Sequence, residues 1–225
     1  MNKLVGSLAF VLLAAVCAGD IVSGAANATI WLSRNSPEVP VAESSESAAR
    51  FEVSTELEEY LATLSEGERA EFTRTMLPAK TVSSSTVTPL DGQARASLTE
   101  ARDAGLPIAP HATGCWTRRA NFADLSLANT VLYKWWHVTR WCATGTKVTS
   151  ASVAERGGQP ITVGWRYAGV YQQKAGVSYG WGRSYAQHKF ILGVGGWDVQ
   201  TTMPCGRVSG GQSGSSFFDR ICGIY

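Results

Sequence analysis

The sequence predicts a mainly β protein: an antiparallel β-sandwich, or barrel, with two disulfides, preceded by a short α-helical segment. Three observations predict it. Residues 130–142 form a run rich in Trp, Val and Thr, whose period-two spacing sets Tyr133, Trp135 and Trp141 on one face and Lys134 and Arg140 on the other, the strongest strand signal in the chain. Seven or more further short runs follow, most of them separated by glycines and with no helical period between them. Four cysteines lie beyond position 110, the even number that an exported chain pairs into disulfides.

The chain opens Met1-Asn2-Lys3, continues through the mostly apolar run 4–18 and ends that stretch in small residues up to Ala28. A charged start, a short apolar middle and an Ala-x-Ala end describe a signal peptide, 1–28, and a secreted product. The apolar run is shorter than the roughly 20 residues a membrane-spanning helix requires, so no transmembrane helix is expected in the mature chain. Removal of 1–28 takes away Cys17 and leaves Cys115, Cys142, Cys205 and Cys222. Of the three possible pairings, Cys115–Cys142 and Cys205–Cys222 each close a short loop between neighbouring strands, stabilising the fold by roughly 3 kcal/mol apiece on a chain-entropy account. A four-thiolate zinc site would need cysteines paired two to four residues apart, and these are not.

Residues 29–110 carry thirteen acidic and seven basic side chains, whereas 111–225 carry four and twelve. The charges are therefore opposed: −6 in the first part and +8 in the second. Seven of the eight tryptophans also lie beyond 110, so the Pro-containing stretch 105–110 reads as a linker between an acidic, partly helical segment or propeptide and a basic aromatic domain. Within the acidic part, 29–50 lacks any period and reads as loose chain. Thr55 with Glu58 reads as a capping box ahead of Leu57, Tyr60, Leu61 and Leu64. Ser65 with Glu68 repeats the signal for a second helix, 66–77, stopped by Pro78. Residues 81–88 read as linker or one strand, and 92–104 as a third helix ended by Gly105.

In the basic part, strand 130–142 sends Val131, Tyr133, Trp135, His137, Thr139 and Trp141 to one face. Leu132, Lys134, Trp136, Val138, Arg140 and Cys142 go to the other. A turn at 143–145 leads to a returning strand, 146–154, which Arg156-Gly157-Gly158 ends. Further strands are expected at 161–167, 170–173, 177–181, 185–192, 197–202, 207–209 and 216–222.

One Trp face of 130–142 suits the core, which leaves Lys134, Trp136 and Arg140 as a basic aromatic surface. Tyr171, Tyr179, Trp181 and Arg183 lie among glycines at strand edges or loops, where tyrosine serves contact better than core. Together these seven residues form the candidate binding set, and a cell-surface glycan or anionic wall polymer is the expected ligand. Nucleic acid is disfavoured, because the basic residues are scattered singly apart from Arg118-Arg119. Opposed charges also predict an intramolecular contact between 29–110 and 111–225.

Enzymatic chemistry finds little support. Ser184, His188 and Asp198 could be assembled into a hydrolytic triad, but no Gly-x-Ser-x-Gly elbow occurs. Asp124, Glu155, Asp198 and Asp219 are the only carboxylates beyond 110, too few for an evident acid/base pair. His111, His137 and His188 show no metal-ligand spacing. The glycine runs at 193–196 and 210–214 lack the Lys and hydroxyl of a phosphate loop, so no metal or cofactor is expected.

The order Gly114-Cys115-Trp116, the WWHVTRWC run ending at Cys142, the Val-Thr-Ser-Ala-Ser-Val run at 148–153, Gly195-Gly196-Trp197-Asp198-Val199, Pro204-Cys205 and Cys222-Gly223 resembles that of exported proteins of high-GC Gram-positive bacteria. That resemblance spans 114–225 and implies secretion. A fainter likeness, through Trp135, Trp136, His137 and the strand after them, is to lactococcin-972-like bacteriocins, which are exported and β-rich. The favoured expectation is a non-enzymatic binding module. The alternatives are an antibacterial, toxin-like protein masked by its acidic half and, third, a secreted hydrolase.

Overall fold

The structure is a computed structural model, and it describes residues 43–48, 52–105 and 112–225. The expected signal peptide, most of 29–50, His111 and all but the first residue of the expected linker lie outside them. The described residues fall within one compact unit. Its first sheet has the order β1 (Glu43–Ala48), β2 (Pro78–Pro89), β3 (Thr113–Ser126), β4 (Val131–Thr144) and β5 (Val148–Pro160), antiparallel throughout. The second has the order β10 (Ser216–Asp219), β9 (Cys205–Gly210), β7 (Trp181–Val194) and β6 (Trp165–Ser178). On the edge of β7 away from β6, β9 pairs with Gly182–Gln187 and β8 (Trp197–Thr202) with Phe190–Val194. This is the expected two-sheet antiparallel fold.

Three helices accompany the sheets. The first, α1 (Thr55–Ala62), begins where the Ser54 hydroxyl accepts from the Leu57 amide, so Ser54 rather than Thr55 is the cap. The second, α2 (Glu66–Met76), has the expected reciprocal capping box between Ser65 and Glu68 and stops short of Pro78. The third, α3 (Gly92–Asp103), is opened by Asp91, whose carboxylate accepts from the Ala94 amide at 2.8 Å. None of the three is long enough to be stable by itself. Leu57 and Leu77 bury in the sandwich core, which holds the first two in place.

Strand β4 keeps its two expected faces from Tyr133 onward, save that Val138 on the outer face is buried. Leu132, expected on the outer face, lies in the larger core cluster, next to a register shift between β3 and β4. Tyr133, Trp135, His137, Thr139 and Trp141 are buried between the sheets, while Lys134 and Arg140 are exposed. Elsewhere the observed strands correct the expected ones. β3 was not expected at all, because its buried face includes Arg118 and Asp124 beside Trp116, Ala120 and Phe122, and two charges erase the hydropathic alternation. β1 occupies part of the stretch expected to be loose. β5 does not end at Arg156-Gly157-Gly158 but runs through it, because the glycines make room for rings. A Cβ on Gly157 would lie 2.3 Å from Trp136, and one on Gly158 2.6 Å from both Tyr167 and Phe190. β6 is a single bulged strand that takes in parts of three shorter ones expected at 161–167, 170–173 and 177–181.

Two of the three apolar clusters among the described residues hold most of the core. In the larger, Phe122 stacks on Trp135 and Tyr133 on Phe190, with centroids 3.9 and 4.1 Å apart. The smaller gathers around Trp116 and Trp141. His137 and Thr139 stand between Trp135 and Trp141 on β4 and put a polar layer between the clusters. Both expected disulfides are present. Cys115–Cys142 joins directly opposed positions of β3 and β4, and Cys205–Cys222 ties β9 to the segment after β10. Each bridge therefore braces one sheet from within.

The acidic and basic parts of the chain are in contact, chiefly through strand pairing of β2 with β3 along its length. Arg118 also donates to the Ser85 hydroxyl at 2.7 Å, and the Cys115 amide donates to Asp91 at 2.8 Å. Ion pairs join Glu71 to Arg74, Glu155 to Arg119, Asp198 to Arg166 and Asp219 to Arg207. Among the described residues no helix is long and apolar enough to cross a membrane.

Candidate functional site

The seven expected binding residues divide between the two sheets. Lys134, Trp136 and Arg140 share the outer face of β4. The first two line a groove of about 550 Å³ that crosses the sheet, with Val82 and Ser84 from β2, Asn121 and Ala123 from β3 and Gln159 from β5. Strand register sets this order: Asn121 lies opposite Trp136, and Lys134 opposite Gln159. Arg140 stands farther along the same face and is not part of the groove lining.

Trp136 is held in one orientation. The missing side chain of Gly157 lets its ring lie down over β5, and its Nε1 donates to Glu155 Oε1 at 2.8 Å. The Arg119 guanidinium sits 5.1 Å from the ring centroid, donates to Glu155 at 2.8 Å and to Asn121 at 2.9 Å, and so completes the frame. The hydrogen bond from Arg119, seconded by its charge and by the indole, holds the Glu155 carboxyl below the usual range. The result is a half-buried aromatic surface in a mostly apolar groove with a cation on either side, Arg119 and Lys134. Sequence reasoning found Trp136 and Lys134 through the β4 alternation. It missed Arg119, Asn121 and Gln159, since β3 was unrecognised and β5 was expected to end before Gln159.

In the second sheet the expected residues do other things. Tyr171 is exposed at a bulge of β6, and Tyr179 is exposed at the β6–β7 turn with φ 50°. Trp181 packs edge-on against Phe217, centroids 5.1 Å apart, and holds β10. Arg183 reaches the Tyr179 ring at 5.9 Å and donates to the Ile224 carbonyl at 3.3 Å.

A second concavity, about 540 Å³, is lined by Glu52, Asp124, Tyr133, Gln187, Thr202, Arg220 and both half-cystines Cys205 and Cys222. Asp124 is buried and accepts from Thr81 and from Trp135 Nε1 at 2.9 Å. Burial pushes its carboxyl upward, against the pull of these donors and of the Arg220 charge. The Tyr133 phenol is driven up by its own burial and by Asp124. These partners make Asp124 an anchored interior carboxyl that joins β2, β3 and β4.

The structure does not assemble Ser184, His188 and Asp198. Ser184 Oγ lies 2.7 Å from His137 Nε2 and 2.6 Å from Thr139 Oγ1, sealed between the sheets. His188 Nδ1 instead meets the Tyr167 hydroxyl at 3.0 Å, and Asp198 is on the surface, paired with Arg166. Burial lowers both His137 and His188 to about 4. Among the described residues no group of three His, Cys, Asp or Glu is placed to hold a metal ion. Comparison with protein-family models, with curated proteins and with solved structures gives no match.

Proposed function

We propose that this is an exported, non-enzymatic binding module that takes a surface glycan or anionic wall polymer along the outer groove of the first sheet. The observation that carries the reading is the fixed Trp136 ring, framed by Gly157, Glu155 and Arg119 within a groove that also presents Lys134, Asn121 and Gln159. A rigid aromatic surface gives the C–H faces of a sugar something to pack on at little entropic cost. The amides and hydroxyls beside it match hydroxyl groups. Lys134 and Arg119 match phosphate or carboxylate along such a polymer.

The test is co-sedimentation with isolated bacterial wall material. Trp136→Ala and Lys134→Ala should each weaken retention by about tenfold, equivalent to roughly 1.4 kcal/mol, with the melting temperature close to that of the parent. Retention unaltered in both variants rejects the reading.

A further inference from the structure

The outer face of the second sheet is covered by its own chain. After β10 the segment 220–225 forms neither helix nor strand. It crosses this face on three supports: the Cys205–Cys222 bridge, the buried Ile224 side chain beside Tyr185 and Cys205, and basic side chains that take its carbonyl oxygens. Arg207 donates to the carbonyls of Gly223 and Tyr225, each at 3.3 Å, and Arg183 to that of Ile224 at 3.3 Å. Lys174 donates to the Tyr225 hydroxyl at 3.2 Å.

These polar contacts all sit at the long end of the hydrogen-bond range. Arg183 Nε, buried, has no partner. Ile221 and Tyr225 remain exposed, so a single apolar anchor holds the segment. The face thus offers an aliphatic socket and two cations, Arg183 and Lys174, beside Arg207, which Asp219 already pairs, to a stretch of main chain that brings no carboxylate side chain of its own.

We infer that 220–225 is a removable strap over a latent binding face for an extended acidic peptide with an aliphatic anchor, latched by Cys205–Cys222. The strap shows which ligand fits: its carbonyl oxygens mark where peptide or carboxylate oxygens would lie, and Ile224 marks the socket. Carboxylates there would form stronger, charge-assisted bonds to Arg183 and Lys174 than the Ile224 carbonyl and the Tyr225 hydroxyl do.

The latch is open to chemistry. Its Cys222 sulfur is on an exposed residue, although Cys205 is buried, whereas Cys115 and Cys142 are both half-buried within the β3–β4 ladder. A dithiol reductant attacks the sulfur–sulfur bond and passes it two electrons. Each cysteine sulfur leaves as a thiol with one proton, and the dithiol closes to its own disulfide. The Cys115–Cys142 bridge is untouched in this step.

Two variants of the full chain test the inference: Cys205→Ser/Cys222→Ser, which removes the latch, and Ile224→Ser, which removes the apolar anchor with the latch intact. Hydrogen exchange of 220–225 and binding of a fluorescein-labelled acidic heptapeptide with a central isoleucine are measured, after near-ultraviolet circular dichroism has verified the fold. The strap should lose protection in both variants, and peptide affinity should rise about tenfold, as expected when an open state populated at roughly one tenth becomes dominant. Should the double variant fail to fold, Ile224→Ser carries both readouts. Three results overturn the inference: a strap that stays protected, a strap that leaves without any gain in binding, or equal binding of a control peptide with lysines in place of its acidic residues.

Discussion

Trp135 and Trp136 are neighbours of identical chemistry, and the pleat of β4 gives them opposite work. Trp135 is buried, stacked on Phe122 and bonded to Asp124, while Trp136 lies in the outer groove. His137, next in line, returns to the interior, where it faces Ser184 and Thr139 and has an unpartnered Nδ1. His188 is enclosed likewise, against Tyr167, with Nε2 unpartnered. Burial lowers both to about 4, and for His137 the neighbouring His188 and Arg156 act in the same direction. An unfolded chain takes up these protons near 6.5, whereas the folded chain refuses them until about 4. The stability held by neutral rings is therefore complete above about pH 6.5, is lost as pH falls from there toward 4, and levels off below. The loss is on the order of 3 kcal/mol per ring. Urea unfolding at pH 7 and pH 4.5 should show this slope, and His137→Asn and His188→Gln should each flatten it. An unchanged slope in both variants would mean that other groups govern the acid response.

At the level of elements, the Ser65–Glu68 capping box and Pro78 made α2 readable to within a residue or two, and the expected box at Thr55 lay one residue from the true cap Ser54, since these signals are local. β4 was readable because its inward positions are almost all aromatic or β-branched. β3 was not, because the sandwich buries Arg118 against Ser85 and Asp124 against Thr81, partners far away in sequence. β5 was cut short for the opposite reason: Gly157 and Gly158 look like a break, yet serve to admit the rings of Trp136, Tyr167 and Phe190. The candidate site follows the same division. Lys134 and Trp136 were legible from one strand's alternation. The frame around Trp136 comes from β3 and β5 and depends on register. Trp181 and Arg183 looked available for a ligand because nothing local reveals that Phe217 and Ile224 return to cover them.

For the molecule as a whole, the division of charge between 29–110 and 111–225 does not coincide with a division of the sheet. β2 belongs to the acidic part and lies between β1 and β3, and Leu57 and Leu77 complete the larger core cluster. A fragment of 112–225 would expose the long edge of β3 and lose two buried leucines, each worth roughly 2 kcal/mol. Expressed alone, it should aggregate or bind a hydrophobic dye strongly, and co-expression with 43–105 should restore a soluble complex. A soluble, sharply melting fragment would establish that β2 is dispensable. Both disulfides act within single sheets, so the sheets are held face to face by packing and by hydrogen bonds such as those of His137 and Thr139 with Ser184.

The central claim is that the outer face of the first sheet carries the binding function while its inner face carries the fold. Titration of nitrogen-15-labelled protein with solubilised wall polymer, following the indole N–H signals, tests it most directly. The signal of Trp136 should move with polymer concentration while those of Trp135 and Trp141 stay still. Saturable movement at Trp181 or Trp197 with Trp136 unaffected, or no movement at any indole, would contradict it.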